Sequence, residues 1–345
     1  VNDVLIRVEG GVGRITLNRP KAINALSDEM LLEMAAALRG WATDDSVRVV
    51  LLDGAGERGL CAGGDIRSIH EATRTGDTGP IEFWREEYRL NAAIARYPKP
   101  YVAFMDGLVM GGGVGVSAHG SVRVVTERTS IGMPEVSIGF IPDVGGTWLL
   151  AHTPGELGTH LALTGTRIGA ADAILCGLAD QYVPSAALPE LAALPAERLL
   201  VEIAGRAEAA PAGQLAADRE WIDTCYAADT VEQILANLYA HGHPGAEAAA
   251  KEIQAKAPTA VKVTLRALRE ARRLASLEDA LNLEHRLVSK FLTAPDLAEG
   301  IRAAVIDKDR NPRWNPATLA EVDAATVDSY FVEQPGTRPV FGGAA

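Results

Sequence analysis

The chain has 345 residues, of which 48% are hydrophobic and 23% charged, and its formal net charge is −12. This is the balance of an ordinary globular protein, and the acidity argues against non-specific nucleic-acid binding and against attachment to an anionic membrane surface. Cys61, Cys176 and Cys225 are an odd set without metal-ligand spacing, so a reducing compartment is expected, with no disulfide framework and no metal.

No apolar run is long enough to span a membrane. The Val-Asn-Asp start shows no basic leader with an apolar core. The expected location is the cytoplasm, or the mitochondrial matrix in a eukaryote. Val4 to Val8 and Val12 to Leu17 read as a hairpin turning at Glu9-Gly10-Gly11. A loop from Asn18 to Leu26 follows, and Ser27 is a good N-cap for a helix over Asp28 to Arg39. Val47 to Leu52 is a buried-strand run. Leu60-Cys61-Ala62-Gly63-Gly64-Asp65 is a short extended piece that reaches bare backbone and then a helix beginning at Ile66, which Asp65 is placed to cap.

Ile81 to Arg96 has a strong helical pattern, with Phe83, Tyr88, Leu90 and Ile94 as its larger apolar residues. Tyr101 to Met105 reads as a buried strand, and Met110-Gly111-Gly112-Gly113 leads into a helix of small residues. Ser121 to Thr126 is a further strand. Thr129 to Glu135 is extended and ends in a carboxylate, and Pro142 to Gly146 turns into a helix near Thr147. Short helices over 156–163 and 170–176 and a last strand at Gln181 to Pro184 complete an alternating α/β pattern. Beyond it the texture becomes helical, as in Val231 to Leu238, Pro258 to Ala275 and Glu278 to Leu292, with Pro258 suited to a first helical turn. The expected organisation is a core over 1–190, a helical region over 191–320 and an extended tail over 321–345.

Gly64 and Gly112 each stand where backbone N–H groups meet the start of a helix. Two converging donors of that kind suit a reaction that develops negative charge on a carbonyl oxygen. The plainer reading of each is a tight connection with no ligand. Glu135 and Asp143 flank the mostly apolar Val136 to Ile141, where a carboxylate's charged form is disfavoured and it can serve as base, nucleophile or acid. Glu86 and Glu87 are a further pair. Against this, most acidic residues are solvated, and Asp143 can simply cap the next helix.

Taken together, these pieces resemble the crotonase (enoyl-CoA hydratase/isomerase) superfamily. The matching motifs are Leu17-Asn18-Arg19-Pro20 with Asn24-Ala25-Leu26, Cys61-Ala62-Gly63-Gly64-Asp65-Ile66, Gly111-Gly112-Gly113, Pro134-Glu135 with Ile138-Gly139, and Leu163-Thr164-Gly165. The resemblance implies a crotonase-like spiral of ββα units with a helical C-terminal region. It also implies a coenzyme A thioester as substrate, held by an oxyanion hole from the N–H groups of Gly64 and Gly112, with no separate cofactor. Within the superfamily, Phe83 to Asn91, Met133-Pro134-Glu135 with Ile141 to Gly146, and Glu284-His285-Arg286-Leu287 with Glu299 to Ala303 and Ile306 to Asp309 are similar to the 3-hydroxyisobutyryl-CoA hydrolase branch. That similarity implies Glu87, Gly112, Glu135 and Asp143 as the substrate-contacting and catalytic set. It implies coenzyme A contacts at Ala62, with Lys21 and Arg19 as phosphate candidates.

Typical hydratases of the superfamily carry a second glutamate where this chain has Gly115. Its absence favours thioester hydrolysis, with Glu135 attacking the acyl carbon or activating water, and the resemblance to the 3-hydroxyisobutyryl-CoA hydrolase branch implies a place in valine catabolism. An enoyl-CoA hydratase or isomerase and a non-catalytic acyl-CoA-binding protein are the alternatives. Superfamily relatives often form trimers, so a homo-oligomer is within the expectation. His119, His285, Cys61, Trp84 and Trp148 are read as packing, capping or ionic residues.

Overall fold

The computed structural model describes residues 2–342. Contacts divide the chain into two units of interleaved segments. The first takes residues up to Gly64, then Arg89–Gly132 and Arg167–Gln214; the second takes Asp65–Tyr88, Met133–Thr166 and the chain from Leu215 onward. The expected boundary near residue 190 is therefore corrected. Long-range burial, not chain order, decides which segments belong together.

The first unit carries every strand among the described residues: β1 (Val4–Glu9), β2 (Val12–Leu17), β3 (Val49–Gly54), β4 (Tyr101–Met105), β5 (Leu108–Met110), β6 (Val122–Val125), β7 (Ser130–Gly132) and β8 (Gln181–Tyr182). β1 and β2 form the expected antiparallel hairpin, and the larger sheet runs β1-β2-β3-β4-β6-β8 with all later pairings parallel. Parallel strands are covered on both faces, so β3 and β4 are apolar almost throughout and nearly every residue is buried. Val12, Val49, Leu51, Val102, Phe104 and Val124 pack with Leu191, Leu199 and Ile203 from the helices Leu188–Ala192 and Ala196–Gly205. The Ala-, Pro- and Leu-rich stretch after residue 186 thus completes the sheet's core. β5 and β7 form a separate parallel pair.

The second unit is helical among its described residues. Pro258–Ala271 begins with proline in its first turn, as its sequence predicts, and packs against Gly146–Ala151 and Leu157–Thr164. Leu277–Leu292 starts at Ser276, whose hydroxyl accepts from the Asp279 N–H. The expected extended tail over 321–345 is also corrected. Ala324–Phe331 is a helix capped by Asp323, and Tyr330 and Val340 are buried. Beyond that helix, Arg85 donates to the carbonyls of Arg338 and Pro339, and the Phe341 N–H to Asn282 Oδ1. Two large apolar side chains and these bonds anchor the segment; residues 343–345 lie outside the described residues. No helix among the described residues is long and apolar enough to cross a membrane.

Candidate active site

In the first unit the two glycine junctions lie side by side, and Asn24 organises the approach. It is fully buried with φ +54°; its amide nitrogen donates to the carbonyls of Ala55, Gly59 and Leu60, and its Oδ1 accepts from the Arg19 N–H. Asn and Asp tolerate this left-handed backbone better than most residues. The Ala62 N–H donates to Ile23 O at 2.9 Å and the Leu26 N–H to Gly63 O at 2.8 Å. The Cys61 N–H donates to Leu108 O, and the Met110 N–H returns a bond to Cys61 O. The 60–64 segment therefore runs along β5.

A Cβ built on Gly63 (φ +107°) would stand 3.8 Å from Gly112 N, and one on Gly113 only 2.7 Å from Cys61 O. That second approach is too close for any side chain, which is the physical need for glycine at position 113. Gly112 opens the helix Gly112–Ser117, so its N–H has no acceptor within that helix. Ile66–Thr75 begins where expected, but Asp65 makes no side-chain cap bond. Lys21 sits exposed on the short turn Pro20–Ala22. Arg19 is engaged by Ala25 O and by Asp3, which makes it a brace for the loop.

In the second unit the carboxylates expected from sequence gather. Glu135 opens a 3-10 turn, Glu135–Ile138, that ends at Gly139 with φ +72°. Glu87, Glu135 and Asp143 are all buried, whereas Glu86 is only half-buried, which separates the members of that pair. Tyr88 donates its hydroxyl to Asp143 Oδ2 at 2.7 Å. Glu135 Oε2 is buried with no hydrogen-bond partner among the described residues.

Burial pushes the Glu135 carboxyl well above the usual range, and the charges of Asp143, Glu284 and Glu87 push it further. Burial also lifts Asp143 to about 7, against the Tyr88 hydrogen bond that favours its ionised form. Tyr88 itself is pushed up by burial and by the surrounding carboxylates. Buried carboxylates whose ionisation is disfavoured, one with an unengaged oxygen, suit nucleophilic or general-base work.

Local patterning did not reveal Tyr88 or Glu284 as members of this group. Tyr88 reads as one more apolar position of its helix, and Glu284 lies about 140 residues from the turn it contacts. Trp84 stacks on Phe140 and Trp148 against His152, as packing residues. His285 packs edge-on against Tyr88 and bonds Ile81 O. Cys61 is a buried side chain beside Asn24 O.

Two outcomes follow from these contacts. Tyr88→Phe removes a donor to a buried carboxylate, a loss of about 1–3 kcal/mol. It is expected to lower kcat roughly tenfold and to move the acid limb of the pH profile upward, because Asp143 then ionises less readily; an unmoved limb in steady-state assays would contradict this. The second outcome concerns stability. The folded-state values of Glu135, Asp143 and Glu284 lie above their unfolded values, Asp143 at about 7 and Glu284 at about 8. The folded chain therefore binds more protons, and this stabilising contribution, complete below about pH 4, is lost as pH rises through those values. Tm should fall from about pH 5.5 to 9, and less steeply in Glu135→Gln, which has one fewer buried carboxyl to ionise; equal slopes in a thermal-denaturation series would contradict the assignment.

The chain belongs to the enoyl-CoA hydratase/isomerase family, which it matches over residues 12–331. It is 41% identical over 341 residues to the mitochondrial 3-hydroxyisobutyryl-CoA hydrolase of Gallus gallus, covering 95% of this chain and 88% of that one. Against the same enzyme of Rattus norvegicus it is 42% identical over 342 residues, with the same coverage. Among solved structures it is similar to a carnitinyl-CoA dehydratase from Mycobacterium thermoresistibile (TM-score 0.94, 53% identity, 97% of this chain and 98% of that one). It is also similar to an enoyl-CoA hydratase from Rhodobacter sphaeroides 2.4.1 (TM-score 0.89, 43% identity, 96% and 98%). The α/β expectation and the family resemblance agree with these findings, while the relatives' names divide between hydrolysis and hydration.

Proposed function

We propose that the chain hydrolyses a short-chain 3-hydroxyacyl-CoA thioester, 3-hydroxyisobutyryl-CoA, to 3-hydroxyisobutyrate and coenzyme A, as a step of valine catabolism. The observation that carries the choice is the pairing of a buried Glu135, with one oxygen unengaged, with a helix that offers no carboxylate at position 115. Hydration in this superfamily uses a second glutamate there to position water.

In this reading the N–H groups of Gly64 and Gly112 hold the thioester oxygen as it becomes an oxyanion. Glu135 attacks the acyl carbon, the oxyanion collapses, and the C–S bond breaks to release coenzyme A as a thiolate that takes up a proton. Water then cleaves the resulting anhydride and restores Glu135. The same carboxylate acting as base on a water molecule gives the same products in one addition. Asp143 binds the substrate hydroxyl or orients the water, and Glu87 anchors the acyl group. Coenzyme A contacts fall on the Ala62 carbonyl, since its N–H is engaged by Ile23 O, and on the exposed Lys21.

The chemistry needs no cofactor beyond the coenzyme A of the substrate itself. The three cysteines are unbridged and buried, which suits a reducing cytoplasm, or the matrix in a eukaryote. A homo-oligomer fits the family. Carbon-13 NMR of labelled substrate with the purified chain tests the proposal. Free 3-hydroxyisobutyrate, equimolar with coenzyme A, is expected; an acyl group still esterified to coenzyme A but dehydrated or hydrated would favour the hydratase reading instead.

A further inference from the structure

The Asp143 turn is an unfavourable piece of backbone. Val144, a β-branched residue, has φ +54°, and Gly145 follows with φ +79°. Such a conformation persists only where the surroundings hold it. Gly145 is also the N-cap of Gly146–Ala151 and has no side chain with which to cap it.

The missing cap comes from the helix Leu277–Leu292. Glu284, fully buried, accepts from the Gly145 N–H at 2.7 Å through Oε2 and from the Thr147 N–H at 2.9 Å through Oε1. Oε1 also accepts from the Thr147 hydroxyl. The neighbouring His285 packs edge-on against the Tyr88 ring at 6.2 Å, and Tyr88 holds the Asp143 carboxylate itself. Consecutive residues of one helix thus reach both fastenings of Asp143, its backbone turn and its hydroxyl donor.

We infer that Glu284 is a positioning residue for the reaction: it holds the turn from Asp143 to Gly146, and through that turn fixes where the Asp143 carboxylate stands. The inference rests on the proposed role of Asp143. It also gives a use to the Glu284-His285 motif, which the chemistry had not absorbed.

The titratable groups around Glu284 are Asp143, Glu135 and Glu87, with Tyr88 and His285. Burial lifts its carboxyl to about 8, while its three donors favour the ionised form. Its charge in turn disfavours ionisation of Glu135. A mere helix cap would affect stability and lower the rate equally at every pH. A positioning carboxylate in this cluster changes kcat and also moves the pH profile.

The test compares wild type, Glu284→Gln, Thr147→Val and Thr147→Ser in thiol release from 3-hydroxyisobutyryl-CoA between about pH 5.5 and 9. Glu284→Gln keeps the shape but sets an amide N–H₂ against a donor. It is expected to lower kcat about tenfold or more with KM changed less than about twofold. The limb of the pH profile should also move, because a carboxyl that ionises at about 8 beside Asp143 and Glu135 is gone. Thr147→Val should lose kcat severalfold and Thr147→Ser should match wild type.

A Glu284→Gln enzyme that keeps its kcat, or loses it uniformly with an unmoved limb, would overturn the inference. If that variant does not fold, the threonine pair decides, and equal kcat in Thr147→Val and Thr147→Ser would overturn it. A wild type that releases no thiol refutes only the proposed substrate. Positioning is then read from the carbon-13 carboxyl titration of Asp143, which should shift in Glu284→Gln and, left unshifted, counts against it.

Discussion

Glu135→Gln should abolish thiol release from 3-hydroxyisobutyryl-CoA, with kcat lower by about a thousandfold or more and KM little changed. Glutamine fills the same volume but cannot attack the acyl carbon and cannot take a proton from water. The effect should not come from unfolding. Glu135 is buried among carboxylates that disfavour its charge, so the neutral amide relieves repulsion and Tm should rise at alkaline pH. Loss of activity together with gained stability is the signature of a group held for chemistry at a cost to the fold. A variant that keeps more than about a tenth of wild-type kcat would assign the chemistry to another carboxylate, Asp143 being the nearest candidate by environment.

Gly112→Pro is the second large effect. Gly112 is the first residue of its helix, a position where proline's fixed φ is tolerated and where its only deletion is an N–H that the helix does not use. If that N–H stabilises the oxyanion, kcat should drop about a hundred- to a thousandfold, or ~2.7–4 kcal/mol of transition-state stabilisation. Binding of free coenzyme A, measured by calorimetry, should persist, because the lost donor serves the acyl carbonyl. Retained kcat with weakened coenzyme A binding would move Gly112 from the reacting centre to the cofactor-like end of the substrate.

Much of this site can be read from local sequence because its signals are local. Of the three glycines after an apolar strand, Gly113 is needed where the chain approaches the Cys61 carbonyl. Glu135 and Asp143 are separated by an apolar run, and their own burial is the largest cause that perturbs both. The hairpin of β1 and β2, the Ser27 cap and the helices that carry Glu87 and Glu284 follow from periodicity and capping chemistry. What escaped depends on contacts far apart in the chain. Glu284 meets Gly145 and Thr147 across about 140 residues, and no periodicity encodes that meeting. The final segment has the Pro and Gly content of a loose tail, yet Tyr330 and Val340 are buried. The division into two units cuts the helix Gly79–Ala95 between Tyr88 and Arg89, a boundary invisible to composition.

The central claim is that this member of a hydratase-rich family cleaves a thioester. Paired steady-state assays on the wild-type chain test it most directly, one following thiol release from 3-hydroxyisobutyryl-CoA and the other following loss of the conjugated absorbance of crotonyl-CoA. Thiol release with kcat/KM at least about a hundredfold above crotonyl-CoA turnover is the predicted result. Rapid crotonyl-CoA hydration with no free thiol would contradict the account, and would mean that another group does the work of the glutamate absent at Gly115.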